Sequence, residues 1–188
     1  MKTKEELYKK SLKLFLNRGY DNTPMSLISK ELGLCKAGLY HHFSSKESLL
    51  FQIIEQLMEE EFIPILKAAE KISDPEERLI YFVKSFTKLL VTDDKARVVI
   101  HDARRLKPKH LQKIRRIWRK TYDLIKNAIS EMEISGKTKK RNKTFSAFAV
   151  IGMVSWIFYW FDYSRKESGE ELAETFVDIL LKGLLKRK

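Results

Sequence analysis

"GLCKAGLYHHFSSKESL", residues 33–49, follows a short apolar run, "MSLISKEL", at 25–32. Gly33 opens a three-residue turn, Gly-Leu-Cys, and is free to take a positive φ. Leu39 and Phe43 lie four apart and mark the inner face of a second short helix from about Cys35 to His42. Two short helices across a tight glycine-containing turn make a helix-turn-helix. Upstream, Leu7, Tyr8, Ser11, Leu14 and Phe15 share one helical face, and that helix ends near Gly19. Thr23 before Pro24 predicts an N-cap followed by proline at the first helical position. Downstream, "SSKESL" opens the next helix, capped by Ser44 or Ser45, with Glu47 or Ser48 near the capping-box position.

The remainder also reads as helix. Leu50, Ile53, Ile54, Leu57, Met58 and Phe62 form a long apolar stripe that Pro64 should end or kink. Asp74-Pro75-Glu76-Glu77 opens another helix, with Leu79, Phe82, Val83, Phe86 and Leu90 inward. Asp93–Asp94 restarts one to about Leu106, and Pro108 begins one through Leu111, Ile114, Trp118, Tyr122, Ile125 and Ile129. After the basic loop "SGKTKKRNK", two last helices span about 143–163 and 169–186. With only 7 Gly and 4 Pro in 188 residues, turns are few and an all-β fold is unfavourable. The expectation is an all-α protein of nine helices, without repeats or linkers.

Several classes of function are unfavoured. Cys35 is the one cysteine, so no internal disulfide forms, and a reducing cytoplasm is the natural home. "MKTKEELYKK" at the N-terminus has no apolar signal core. "FSAFAVIGMVSWIFYWF", 145–161, has 17 residues without a formal charge, at the bottom of the membrane-spanning range. It contains Ser146, Gly152 and Ser155, and Asp162 follows, so a helix buried in a core and a subunit interface fits better. His41 and His42 are adjacent and diverge on a helix, His101 and His110 lie far off, and no i, i+4 ligand pair exists, so no metal is expected. No nucleophile–base–orienter set and no glycine-rich phosphate loop stands out, so neither an enzyme nor a cofactor is expected.

What the 35–42 helix offers is a surface. With Leu39 and Phe43 inward, Lys36, Ala37, Gly38, Tyr40 and His41 are left for a DNA groove. Ala37 and Gly38 are small enough for close approach and contact with a thymine methyl, and Lys36 reaches a guanine edge or a phosphate. The blander alternatives are a half-buried packing role for Tyr40 and a merely solvated His41; His42 suits packing or a phosphate contact. The string "LYKKSLKLFLNRGYDNTPMSLISKELGLCKAGLYHHFSSKESLL" resembles the DNA-binding module of the tetracycline-repressor (TetR) family. The matching marks are Phe15, Gly19, Tyr20, Thr23, Ile28, Gly33, Lys36, Leu39, Tyr40, Phe43, Lys46, Glu47 and Leu49. The resemblance implies a DNA-binding domain at 1–47 and a ligand-binding and dimerisation domain at 48–188. It further implies phosphate contacts at Thr23, Tyr40 and Lys46, with Ser26 on the DNA-facing side. Three positions depart from the family pattern: Ser29, Leu32 and Cys35, the last where serine or threonine usually caps the reading helix. Cys35 then stands in for serine near the DNA backbone, the alternative being a thiol that senses oxidants.

The net charge of +12 points to a polyanionic partner, against a plain reading as solubility. The first 47 residues hold 9 Lys+Arg against 5 Asp+Glu, whereas 95–126 hold 12 against 2, so the larger surplus lies outside the reading helices. Three readings compete for it: a solvated face, an extra DNA contact in a region expected to lie away from the reading helices, or the mouth of an anionic-ligand site, whose phosphates suit arginine forks. "GMVSWIFYWFDYSRKESGEELAETFVDILLKGL" resembles the ligand domain of TetR-type repressors of fatty-acid and sterol degradation, through Trp156, Trp160, Phe161 and Gly183-Leu184. Ser155 stands where asparagine is frequent, "SRKESGEE" lacks the usual proline, and the aromatics are also ordinary core at helical spacing. The resemblance implies an acyl-CoA effector. Phe62, Leu66, Phe86, Leu90, Ile100, Trp118, Tyr122, Gly152 and Trp156 would line the acyl site, with Arg104, Arg105, Lys109, Arg115 and Arg119 at a basic mouth. It also implies a homodimer through a four-helix bundle using Trp156, Trp160, Phe176, Ile179, Leu180 and Leu184. Effector binding would shift the helix at about 46–63 and favour release from a palindromic operator. The competing readings are a multidrug-efflux regulator that binds lipophilic, often cationic compounds, and a membrane-surface or interaction protein using its basic helices.

Overall fold

The computed structural model describes residues 4–92, 94–161 and 169–184. The expected helix ends at 163 and 186, Asp93, Asp162 and the Ser-Arg-Lys stretch at 164–166 lie outside these. Helix α1 (Lys4–Arg18) buries Leu7, Ser11, Leu12 and Phe15 and stops at Gly19, whose φ is 77°. Helix α2 is Met25–Leu32. Its cap corrects the sequence reading: Pro24 is extended (φ −71°, ψ 156°) and itself occupies the N-cap position. The Leu27 and Ile28 N–H groups donate to the Pro24 carbonyl. Thr23 instead donates its hydroxyl back to the Gly19 carbonyl at 2.8 Å. Gly33 ends α2 in the left-handed region (φ 60°, ψ 37°), with its N–H on the Lys30 carbonyl and that of Leu34 on the Ser29 carbonyl. Helix α3 (Lys36–His42) follows at once.

Helix α4 (Lys46–Leu57) runs through a π-helical turn (Met58–Phe62) into α5 (Ile63–Glu70). Pro64 does not end the helical run. It has no N–H to return to the preceding turn, and the wide turn before it absorbs the loss. Helix α6 (Pro75–Thr92) is capped by Asp74, whose Oδ1 accepts from the Glu76 and Glu77 N–H groups at 2.8 and 3.0 Å. A short α7 (Lys95–Arg97) continues as a π turn (Val98–Asp102) and a 3-10 turn (Ala103–Arg105). Helix α8 is Pro108–Ile134, and α9 (Lys143–Ser155) is capped by Asn142 and carried on by α10 (Ile157–Trp160). Helix α11 is Gly169–Leu184. Joined where they are contiguous, these make nine helical segments among the described residues, as expected, and no strand.

The chain packs as two units. One comprises 1–59 and 94–114; the other comprises 60–93 and 115–188. The cut expected after residue 47 is a division by role, and packing divides the chain otherwise. In the first unit, α1 packs on α2, α4, α7 and the π turn after α7, and α2 packs on α3. Fully buried Leu7, Ile28, Leu32, Leu39, Phe43 and Leu50 form its centre. In the second, α6 is the spine on which α5, α9, α10 and α11 all pack. Ion pairs fasten it: Arg78 grips Glu131 with two bonds at 2.9 and 3.1 Å, and Lys88 pairs with Glu170.

Candidate nucleic-acid interface

Helix α3 is held from below by Leu39 and Phe43, both without exposed surface. A seven-residue helix cannot sustain itself alone, so these anchors and its cap fix its orientation. The Cys35 sulfur accepts from the Gly38 N–H at 3.3 Å, so a thiol performs the capping role. Outward lie Lys36, Ala37, His41, His42 and Tyr40, the last 42% exposed, with Gly38 half-covered. Ser26 on α2 is exposed as well. Helix α4 begins with Ser45, whose hydroxyl accepts from the Ser48 N–H at 3.0 Å, which settles the choice between Ser44 and Ser45.

Two expected phosphate contacts are otherwise engaged. Thr23 is fully buried, and its hydroxyl braces the turn between α1 and α2. The Lys46 ammonium sits 4.2 Å from the centre of the Tyr20 ring and donates to the Asp21 carbonyl at 3.3 Å. Burial holds the Lys46 pKa below the ordinary lysine value, with Asp21 opposing the shift. Burial raises that of Tyr20, helped by Glu47 and Asp21.

Of the basic stretch expected to lie away from the reading helices, residues 95–114 are part of their unit, and 115–126 belong to the other. Arg105 pairs with Asp21 and with Asp102 (3.1 Å), and its guanidinium lies 5.8 Å from the centre of the Tyr20 ring. The Arg105 bond holds the Asp21 carboxyl below the usual carboxylate range. Arg105 is therefore a fastener and not a free mouth residue. Glu47, in the first turn of α4, accepts from the Lys107 N–H and faces His110 Nδ1, each at 2.8 Å. His110 stacks flat on Phe51, with ring centres 4.0 Å apart. None of these pairings was read from sequence, because Glu47 and His110 lie 63 positions apart and carry no local sign of pairing. Of the other expected effector-site residues in this unit, the mouth residues Arg104 and Lys109 are exposed and Ile100, expected along the acyl chain, is half-buried.

In the second unit, Phe62, Leu66 and Leu90 are buried, and Phe86 is half-buried with its ring 4.9 Å from that of Phe62. Beside them on α6, the Thr87 hydroxyl is fully buried and has no hydrogen-bond partner among the described residues; the sequence reading passed over it. Arg115 and Arg119 are exposed, and Trp118 is 37% exposed. Tyr122 bonds Thr144 at 3.1 Å, with Arg119 and Lys126 near its ring. Its phenol pKa is lowered, first by the Thr144 bond. Gly152 lies on the exposed side of α9, away from the interior, whereas Trp156, which follows α9, is 58% exposed and lines an open groove against α11. Phe145, Phe148, Tyr159 and Trp160 share that exposure, and Ile179 of α11 adds to it. Phe176 and Leu180 are half-buried. Leu184 is buried at 7% exposure and belongs to its own unit's core, not to an outer contact. A groove of about 610 Å³ lies between the helices, lined by Trp156, Trp160, Phe161, Leu172 and Phe176 among others. By length and composition Lys143–Trp160 would suffice to cross a membrane, and 28% of it is buried. Among the described residues no group of His, Cys, Asp or Glu comes together that would hold a metal ion.

Comparison with known proteins places both regions. A model described as bacterial regulatory proteins, tetR family, matches residues 3–53, and one described as tetracyclin repressor-like, C-terminal domain, matches 73–184. The HTH-type transcriptional regulator YuxN of Bacillus subtilis is 37% identical over 76 residues, 40% of this chain and 26% of that protein. The chain thus matches about a quarter of the length of its first curated relatives. Among solved structures, AibR in complex with isovaleryl coenzyme A and operator DNA superposes with a TM-score of 0.87 at 28% identity, covering 95% of this chain and 98% of that one. The TetR family regulator PfmR from Thermus thermophilus follows at 0.85 and 25%, covering 96% and 99%.

Proposed function

The chain belongs to the tetR family of bacterial regulatory proteins, and from that footing we propose that it is a dimeric cytoplasmic repressor that α3 seats on a palindromic operator and an acyl-CoA releases. Its genes are those of fatty-acid degradation. As a member of that family it is a DNA-binding regulator and not an enzyme. The observation that carries the reading is the outer face of α3. Lys36, Ala37, Tyr40 and His41 stand free on a helix whose inner side is fully buried, the combination that base-edge contact requires. Ser26 and the thiol cap Cys35 border that face and meet the DNA backbone.

The effector reading draws on AibR, a relative over nearly the whole chain that takes isovaleryl coenzyme A. Here the acyl chain lies along Phe62, Leu66, Phe86 and Leu90. The orphan Thr87 hydroxyl supplies a hydrogen bond to the thioester carbonyl, since a buried polar group without a partner calls for one. Arg115, Arg119 and Tyr122 hold the phosphates, with Trp118 beside them. Two copies meet through the exposed aromatic face of α9 and α10 and through Phe176, Ile179 and Leu180 of α11; a patch of that kind marks an interface.

The test is binding to a labelled duplex from upstream of this protein's own gene. It is run with no effector, with isovaleryl-CoA, with a long-chain acyl-CoA, and with the matching free acids. Release by an acyl-CoA alone is expected. Specific binding that no acyl-CoA disturbs, but a lipophilic cation does, would move the efflux-regulator reading ahead. Tight liposome binding without preference for any duplex would refute the repressor.

A further inference from the structure

We propose that the exposed cations Arg104, Lys107 and Lys109 form an outer DNA-contact surface that grips phosphates flanking the bases read by α3. The inference rests on the DNA reading above and reassigns Arg104 and Lys109 away from the effector. Placement is the first ground. The Lys107 N–H donates to Glu47 at 2.8 Å, and Glu47 follows Lys46 at the start of α4. Arg105 pairs with Asp21 and lies near Tyr20. The segment therefore runs along the edge of the reading unit that carries Tyr20, Asp21 and Lys46.

Charge is the second ground. Asp21 and Glu47 are carboxylates on that edge, and bare carboxylates would repel a phosphate backbone. Both are engaged: Asp21 pairs with Arg105, and Glu47 with His110 and the Lys107 N–H. With Arg105 and His110 so used, the side chains of Arg104, Lys107 and Lys109 are exposed and have no acidic partner among the described residues; Arg104 touches only the His101 ring, at 3.4 Å. Stability does not explain their position. The first turn of α8 has no acidic residue, and cations at a helix N-terminus oppose its dipole. A polyanion at that end reverses the sign, as it is favoured by the dipole and by the cations together.

The experiment compares wild type with Lys107→Ala/Lys109→Ala, which leaves the Lys107 backbone bond in place. Fluorescence anisotropy follows binding to operator and scrambled duplexes between about 50 and 300 mM KCl. Each lost phosphate contact lowers the log–log salt slope by about 1, so the variant's slope falls by about 2. At about 0.15 M salt that corresponds to about 30- to 45-fold weaker binding, equal on both duplexes because phosphates carry no sequence. Melting temperature is unchanged, since neither side chain has a partner to lose. A variant with wild-type slope and affinity overturns the inference and leaves the DNA reading standing. A variant that keeps its DNA binding but is no longer released by acyl-CoA overturns it too, and returns the lysines to the effector. A wild type that binds no duplex sinks the DNA reading itself, and this inference with it.

Discussion

Replacing Glu47 by alanine tests what fastens residues 94–114 to the reading unit. Glu47 lies in the first turn of α4, where a negative charge gains about 0.3–1 kcal/mol from the helix dipole. Its carboxylate serves the Lys107 N–H and His110 Nδ1, both at 2.8 Å, and the side chain is 12% exposed. A hydrogen bond to a charged group contributes about 1.5–3 kcal/mol. The two do not add at full value. Lys107 is exposed, so water takes over its N–H in the variant. His110 is three-quarters covered and stacked on Phe51, so its nitrogen loses a partner that water replaces poorly. The expected loss is about 2–3 kcal/mol. For a chain of this length that lowers the melting temperature by about 4–12 °C. Glu47→Gln keeps the acceptor oxygen without the charge and should lose about half as much. Thermal unfolding followed by circular dichroism reads these values. The cycle with His110→Ala should return a coupling of about 1–2 kcal/mol. A Glu47→Ala protein melting within about 1 °C of wild type, or a coupling near zero, would refute the reasoning.

Further outcomes follow from the same geometry. Gly33→Ala places a side chain in the left-handed region that ends α2 and should cost about 1–2 kcal/mol while weakening operator binding, read by melting and anisotropy. Alkylating Cys35 adds bulk at the cap of α3 and should abolish operator binding without loss of helicity. Cys35→Ser should bind as wild type and resist the reagent, and equal sensitivity in both proteins would sink the assignment. Trp156→Ser/Trp160→Ser should sediment as a monomer where the wild type sediments as a dimer. The Asp74 carboxyl is held below the usual carboxylate range by the Glu77 N–H first and then by Lys137. A depressed carboxyl stabilises above its ordinary pKa, and the gain is lost as pH falls through the folded value. Wild type should thus exceed Asp74→Asn in stability near neutrality, and the two should converge on acidification.

The faces of α3 were legible because two buried apolar residues, Leu39 and Phe43, set a period that leaves the others outside. The nine helical segments followed from the same periodicity. Thr23 was misplaced because a local capping rule competed with a carbonyl at Gly19, four residues back, and the carbonyl won. Pro64 was expected to end or kink the helix; it does not end it, because a wide turn lets the helix pass it. The stretch at 145–161 is apolar nearly all round, so no periodicity told which side of Gly152 and Trp156 faces solvent. The charge run at 104–120 was legible as a run only. Its division into a fastener, Arg105, and free cations depends on where Asp21 and Glu47 lie in space. Thr87 gave no signal, because a lone hydroxyl becomes conspicuous only once its surroundings are known to be dry.

Two separated stretches of chain build the reading unit, and this bears on how such regulators exchange parts. Grafting residues 1–59 onto another body would carry over the α3 face but leave behind the rings and charges that cover Phe51, Asp21 and Glu47. The unit that would transfer with its packing intact is therefore 1–59 together with 94–114. In a lineage that swaps bodies beneath one reader, the two stretches must travel together or drift together, with changes at Asp21 and Glu47 answered at Arg105 and His110.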